Sequence, residues 1–128
     1  MTETSSVLDR LLPQAHRAEF VVAGIATHLA FNVVAAVAFR LSALSTTWPA
    51  FLAWQVVGNL AGFVTVLALT VLLRFVPLSL AYPITTGLSV IGVQVIAARV
   101  ILHEPLPPQV WVGTALIVIG ILLVGGRI

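Results

Sequence analysis

Two long apolar runs, joined by a short polar turn, fill the segment from Leu78 to Gly126. The first, Leu78 to Leu102, carries one charge, Arg99, near its far end. The second, Gln109 to Gly126, carries none. The turn between them is His103-Glu104-Pro105-Leu106-Pro107-Pro108. A helix of about 20 apolar residues crosses a hydrocarbon core of ~30 Å. This helix–turn–helix therefore reads as a membrane hairpin. A buried hairpin in a soluble core is the competing reading, and the length of the charge-poor runs argues against it.

The first half repeats the pattern. Spans are expected over about 20–40 and 50–73, followed by 78–102 and 109–126. Only Phe75-Val76-Pro77 connects the second to the third, which forces an antiparallel return. The expected fold is thus an all-α integral membrane protein with four transmembrane helices, forming one domain over residues 20–128. Residues 1–19 form an N-terminal tail. In it Val7, Leu8, Leu11 and Leu12 share one face after the capping pair Ser5-Ser6, with Asp9 placed as in a capping box. That predicts a short interfacial helix ended by Pro13, against the alternative of an unstructured tail. The tail is polar and acid-bearing, unlike the basic and then apolar start of a signal peptide.

Composition agrees. Charged residues make up 8% of the chain and hydrophobic ones 60%, whereas soluble domains carry about 25% charge. Six scattered arginines and no lysine make no basic patch, so nucleic acid is not an expected partner. The absence of cysteine removes disulfides, thiolate metal sites and cysteine nucleophiles. Arg10, Arg17, Arg74 and Arg127 flank one side of the expected spans, and Arg40 and Arg99 the other. This imbalance favours both termini in the cytoplasm.

Polar groups within spans turn toward protein or water-filled cavities, because lipid offers them no partners. In the first span Gly24, His28 and Asn32 recur every fourth residue, and Ala35 and Ala36 continue the face. In the second, Gln55 and Asn59 are one turn apart, and Gly58 and Gly62 form a small-xxx-small pair suited to close helix packing. In the third, Tyr82, Thr85, Thr86 and Ser89 surround Pro83 and Gly87, an expected hinge or unwound spot. In the fourth, Gly113 and Gly120 share a face, read as a packing seam. His28, Asn32, Gln55, Asn59, Tyr82, Thr85 and Ser89 are candidate substrate-binding residues. Each has a plainer reading. The amides can be interhelical glue, Tyr82 a packing aromatic, and His28 a neutral, hydrogen-bonded side chain rather than a proton carrier. Arg40 and Arg99 suit a lipid phosphate, or simply reach water at the interface.

Pro77-Leu78-Ser79-Leu80-Ala81-Tyr82-Pro83, the His103-Glu104-Pro105 turn and Trp111-Val112-Gly113-Thr114-Ala115-Leu116-Ile117-Val118-Ile119-Gly120 resemble the C-terminal half of a small multidrug resistance-type transporter. That four-helix family belongs to the drug/metabolite transporter superfamily. The resemblance is closest to the small flippase subunits for undecaprenyl-phosphate-linked aminoarabinose. It covers about 50 of the 128 residues; the first half is similar only in helix layout. The resemblance implies a dimer, homomeric or with a sister subunit, in the bacterial inner membrane, with substrate between protomers. It also implies a substrate contact for Tyr82. Multidrug members carry a glutamate in the middle of the first helix. Aligned on Arg40, that position is Asn32 here, and the acids Glu3, Asp9, Glu19 and Glu104 all lie outside the spans. An amide does not titrate, so proton-for-drug exchange loses its coupling group.

The expected function is that of a flippase subunit for a polyprenyl-phosphate glycolipid. One alternative is an exporter of cations or polar metabolites with His28 as proton site. Another is a non-transporting membrane scaffold. No spacing matches a catalytic triad, a metal site or a phosphate loop, so no enzyme activity and no cofactor are expected.

Overall fold

The computed structural model describes Val7, Arg10 and residues 16–126. Apart from Val7 and Arg10, the expected interfacial helix lies outside the described residues, as does Arg127. Four helices long and apolar enough to cross a membrane follow in order. They are α1 (Arg17–Ala43), α2 (Trp48–Phe75), a third span that begins as α3 (Leu78–Gly92) and continues as a π-helix (Val93–Ile101), and α4 (Pro108–Gly125). No strand occurs among the described residues.

Local chemistry sets the boundaries. Thr47 caps α2, its hydroxyl accepting from the Ala50 N–H at 3.3 Å, and Pro49 occupies the first turn, where its missing N–H costs nothing. Val76, which precedes a proline, is extended (φ −128°, ψ 134°) and ends α2. Arg17 at the start of α1 donates to the orphan carbonyl of Phe75 at 3.0 Å, and Phe20 stacks on the Phe75 ring. The first hairpin is thus pinned at that end.

Of the hinge or unwound spot expected at Tyr82-Pro83 and Gly87, no unwinding is present. The chain is α-helical throughout Leu78–Gly92. Pro83 sits less than two turns from the helix start, so its missing N–H frees only the Ser79 carbonyl. The winding changes instead at Val93, where nine residues follow the wider i→i+5 pattern. This π segment ends at Ile101, and two residues on His103 adopts a left-handed conformation (φ 55°). The Glu104 N–H then reaches back to the Ala98 carbonyl at 2.7 Å. The geometry resembles a Schellman cap enlarged by one residue, as a wider turn requires.

α1 is the central element. It packs most extensively on α2 and contacts both α3 and the π segment, while α4 packs mainly on α3. The buried apolar residues are mostly alanines: Ala35, Ala38, Ala61, Ala68, Ala81 and Ala97. Buried Ser42, Thr65, Thr85, Ser89 and Thr114 join them. Apart from Val33, Leu72 and Phe75, which are buried, most large apolar side chains face outward, with Leu60, Phe63, Leu116, Leu122 and Leu123 all exposed. Water would not tolerate that distribution in a monomer, whereas small residues inside and large ones outside are what lipid-solvated helices require. The fold is that of a multi-pass all-α membrane protein.

Glycines mark three tight crossings, one of them at Gly92, where a Cβ would lie 2.6 Å from Leu29 Cδ1 between the third span and α1. A Cβ on Gly58 would lie 2.5 Å from the Phe39 ring, between α1 and α2. A Cβ on Gly87 would lie 2.6 Å from Ile121 Cδ1, between α3 and α4. Gly87 is therefore a packing contact for α4. The packing role read for Gly62, Gly113 and Gly120 is not met within the protomer, because each faces open space.

Gly87→Leu is expected to lower the thermal unfolding midpoint in detergent by the equivalent of about 1–3 kcal/mol, through overpacking against Ile121. Gly62→Leu, which fills empty space, is expected to leave it unchanged. Circular dichroism melts of both variants check the pair.

Candidate functional site

An open groove of about 490 Å³ lies between α1 and the third span. His28 and Asn32, one turn apart, line it from α1. Tyr82, Thr86, Ser89 and Val90 line it from α3, and Val93 and Gln94 from the first turn of the π segment. His28 and Ser89 are both buried, and Nδ1 of the histidine stands 3.4 Å from Oγ of the serine, a long hydrogen bond that ties α1 to α3. The Tyr82 residue is 57% exposed, leaving its ring available for stacking. Among the described residues no aspartate, glutamate, lysine or arginine lines the groove. Its chemistry is that of hydroxyls, amides, one phenol and one imidazole.

Sequence reasoning placed seven residues in a binding site, and the structure gathers four of them here: His28, Asn32, Tyr82 and Ser89. Three lie elsewhere. Thr85 points away from the groove, is buried, and donates to the Ala81 carbonyl at 2.8 Å. It sits beside Val21, Ile25 and Leu72 at the junction of α1, α2 and α3. Thr86, one residue on, takes the groove position. Gln55 donates to Ser42 Oγ at 3.1 Å, and Ser42, fully buried, donates to the Phe51 carbonyl at 2.9 Å. This chain of bonds ties the end of α1 to the start of α2, which is the plainer role that the sequence left open. Asn59 is exposed on α2 and bonds back to the Gln55 carbonyl at 2.7 Å.

Gln94 was not legible from the sequence. A wheel at 100° per residue sets it about 120° from Tyr82, off the polar face of the third span. The Gln94 amide also bridges to α4, its Oε1 accepting from the Thr114 hydroxyl at 2.5 Å.

Two charged contacts bracket the spans. Arg40, at the end of α1, pairs with Glu104 at 3.0 Å, tying α1 to the loop before α4. Both side chains are partly exposed, so the pair contributes at most about 1 kcal/mol. Glu104 thus meets Arg40 rather than Arg99, which is exposed on the last turn of the π segment. At the α1 start, His16 lies 3.5 Å from Glu19. Among the described residues no three potential metal ligands stand together.

These features define a class: a four-span helical membrane protein with an open polar groove between its first and third spans. Compared more widely, the chain matches no family model, no curated protein and no solved structure.

Ser42→Ala is expected to cost about 1–3 kcal/mol, because it strands the buried partners that Ser42 now satisfies. Glu104→Gln is expected to cost less than about 1 kcal/mol, and that cost shrinks as salt rises. Thermal unfolding at low and high ionic strength separates the two.

Proposed function

We propose that the chain is a subunit of a small multidrug resistance-type transporter that moves a polyprenyl-phosphate-linked sugar across the bacterial inner membrane. The observation that carries this reading is the groove. It is a polar concavity between largely apolar helices, and among the described residues no carboxylate lines it to attract a cation. Its donors and acceptors match the hydroxyls of a sugar, and the exposed Tyr82 ring offers a stacking face. The polyprenyl chain stays in lipid, which covers the apolar surface around the groove mouth.

The phosphate falls to the arginine end. Arg40 lies eight residues beyond Asn32, about 12 Å along α1, and Arg99 lies five residues beyond Gln94. Arg99 is the better phosphate ligand of the two, since Glu104 occupies Arg40. A guanidinium binds two phosphate oxygens through parallel N–H donors. A second copy of the chain, or a sister subunit, packs on the exposed Gly113 and Gly120 face of α4, with both termini of each protomer in the cytoplasm. Change of winding in the third span, with Pro83 at its near end, supplies the alternating movement.

His28 supports a second reading. It is the titratable side chain best placed to carry a proton among those lining the groove, so the same cavity suits an exporter of polar metabolites driven by a proton gradient.

Native mass spectrometry of protein taken gently from its own membranes tests the first reading. A stoichiometric polyprenyl-phosphate sugar is expected, lost in Tyr82→Ala and weakened in Arg99→Ala. A dimer carrying bulk phospholipid alone overturns it. Transport that needs a proton gradient and collapses in His28→Ala would then establish the exporter.

A further inference from the structure

The groove is lined from α1 and the third span, yet one of its polar groups is held from α4. Gln94 lines the groove, and its amide oxygen accepts from Thr114 Oγ1, the hydroxyl of a buried residue on α4. The same hydroxyl lies 2.9 Å from the Val110 carbonyl of its own helix. It has one hydrogen, and the shorter contact is the one to Gln94. With its oxygen engaged, the amide cannot turn over freely. Its nitrogen, which has no partner among the described residues, keeps its two N–H donors for the groove.

We propose that Thr114 is a positioning residue: through the Gln94 oxygen it orients the amide so that the groove presents fixed N–H donors to the oxygen atoms of a sugar head group. This rests on the glycolipid reading above and deepens it, for it assigns the recognition chemistry at that end of the groove. A free glutamine presents either edge and rotates among several rotamers. Binding must then order it, at a cost that falls on affinity. A glutamine held by Thr114 has already lost that freedom when the protein folds. The arrangement also explains a polar residue on α4, whose other described side chains are apolar apart from Gln109. Thr114 is the buried residue of that helix.

The test uses the full chain in lipid nanodiscs, with Thr114→Val, Thr114→Ser, Gln94→Leu and the double variant Thr114→Val/Gln94→Leu. Valine matches threonine in shape and removes only the hydroxyl. One arm needs no ligand. In glutamine-side-chain 15N spectra, with Gln94→Leu identifying the signal, Thr114→Val is expected to move the Gln94 amide resonances toward free glutamine, and Thr114→Ser to keep them. The other arm measures binding of farnesyl phosphate-linked glucose and of farnesyl phosphate. Thr114→Val is expected to weaken the glucose-bearing probe about 5- to 30-fold and to leave farnesyl phosphate unchanged. In the Gln94→Leu background Thr114→Val is expected to add nothing, because the two residues act as one.

Unchanged Gln94 resonances in Thr114→Val overturn the proposal. So does equal weakening of both probes, or a Thr114→Val effect that persists without Gln94. Resonances that shift as expected, with no binding of the glucose-bearing probe by the unaltered protein, uphold the positioning role and overturn the sugar reading instead.

Discussion

Lipid, as the solvent of this chain, governs almost every feature of the fold. A hydrocarbon core offers no partner to a backbone N–H or carbonyl, so each span closes its own hydrogen bonds as a helix. It also removes the usual reason for burying large side chains, because leucine is as content against acyl chains as against another leucine. Helices then associate through close contact. The buried set is accordingly mostly alanine, glycine, serine and threonine, with Val33, Leu72 and Phe75 as the larger apolar exceptions, while most other leucines, valines and phenylalanines cover the outside. Gly58 under Phe39 and Gly87 under Ile121 are the sharpest instances of that rule.

The same solvent makes each intramembrane polar group costly, and the chain handles them in two ways. Some are consumed internally. Ser42, Gln55 and the Phe51 carbonyl satisfy one another, Thr85 returns to Ala81, and Arg17 completes the end of α2. These bonds are structural and leave nothing for a ligand. Others converge on one groove and are left partly open: Asn32, Tyr82, Thr86 and Gln94, with His28 and Ser89 beneath them. Concentrating unsatisfied groups in one place at membrane depth is hard to explain by packing, and this contrast is what directs attention to the groove.

The third span gives the groove its shape. Its α-helical half brings Gly87 against α4 and Tyr82 toward the opening. Its π half begins with Val93 and Gln94, and Gln94 meets both the groove and Thr114. A run of nine π residues is unusual, since such winding mostly appears as single-turn bulges, often at functional sites. The left-handed His103 and the Arg40–Glu104 pair then return the chain to α4. Irregular winding, a strained cap and a charge contact thus occupy one end of the molecule, close to the residues that would meet a lipid phosphate.

The sequence by itself determined the class. Apolar runs of spanning length, ended by Arg40, Arg74 and proline-bearing turns, specify four helices and their antiparallel order, since span length and turn chemistry are local properties. The pairing of His28 with Asn32 on one face followed from the helical repeat, and so did the nearness of Tyr82 and Ser89. Which neighbours those faces meet was decided by tertiary structure. Thr85 and Thr86 are adjacent and chemically alike, and only the packing of α3 between α1 and α4 sends one inward and the other to the groove. Gln55 belongs to an interhelical bond because Ser42 lies opposite it, a fact carried by neither local sequence. Gln94 lies off the polar face that the 100° repeat gives, so it and its support from Thr114 emerge only when four helices are assembled.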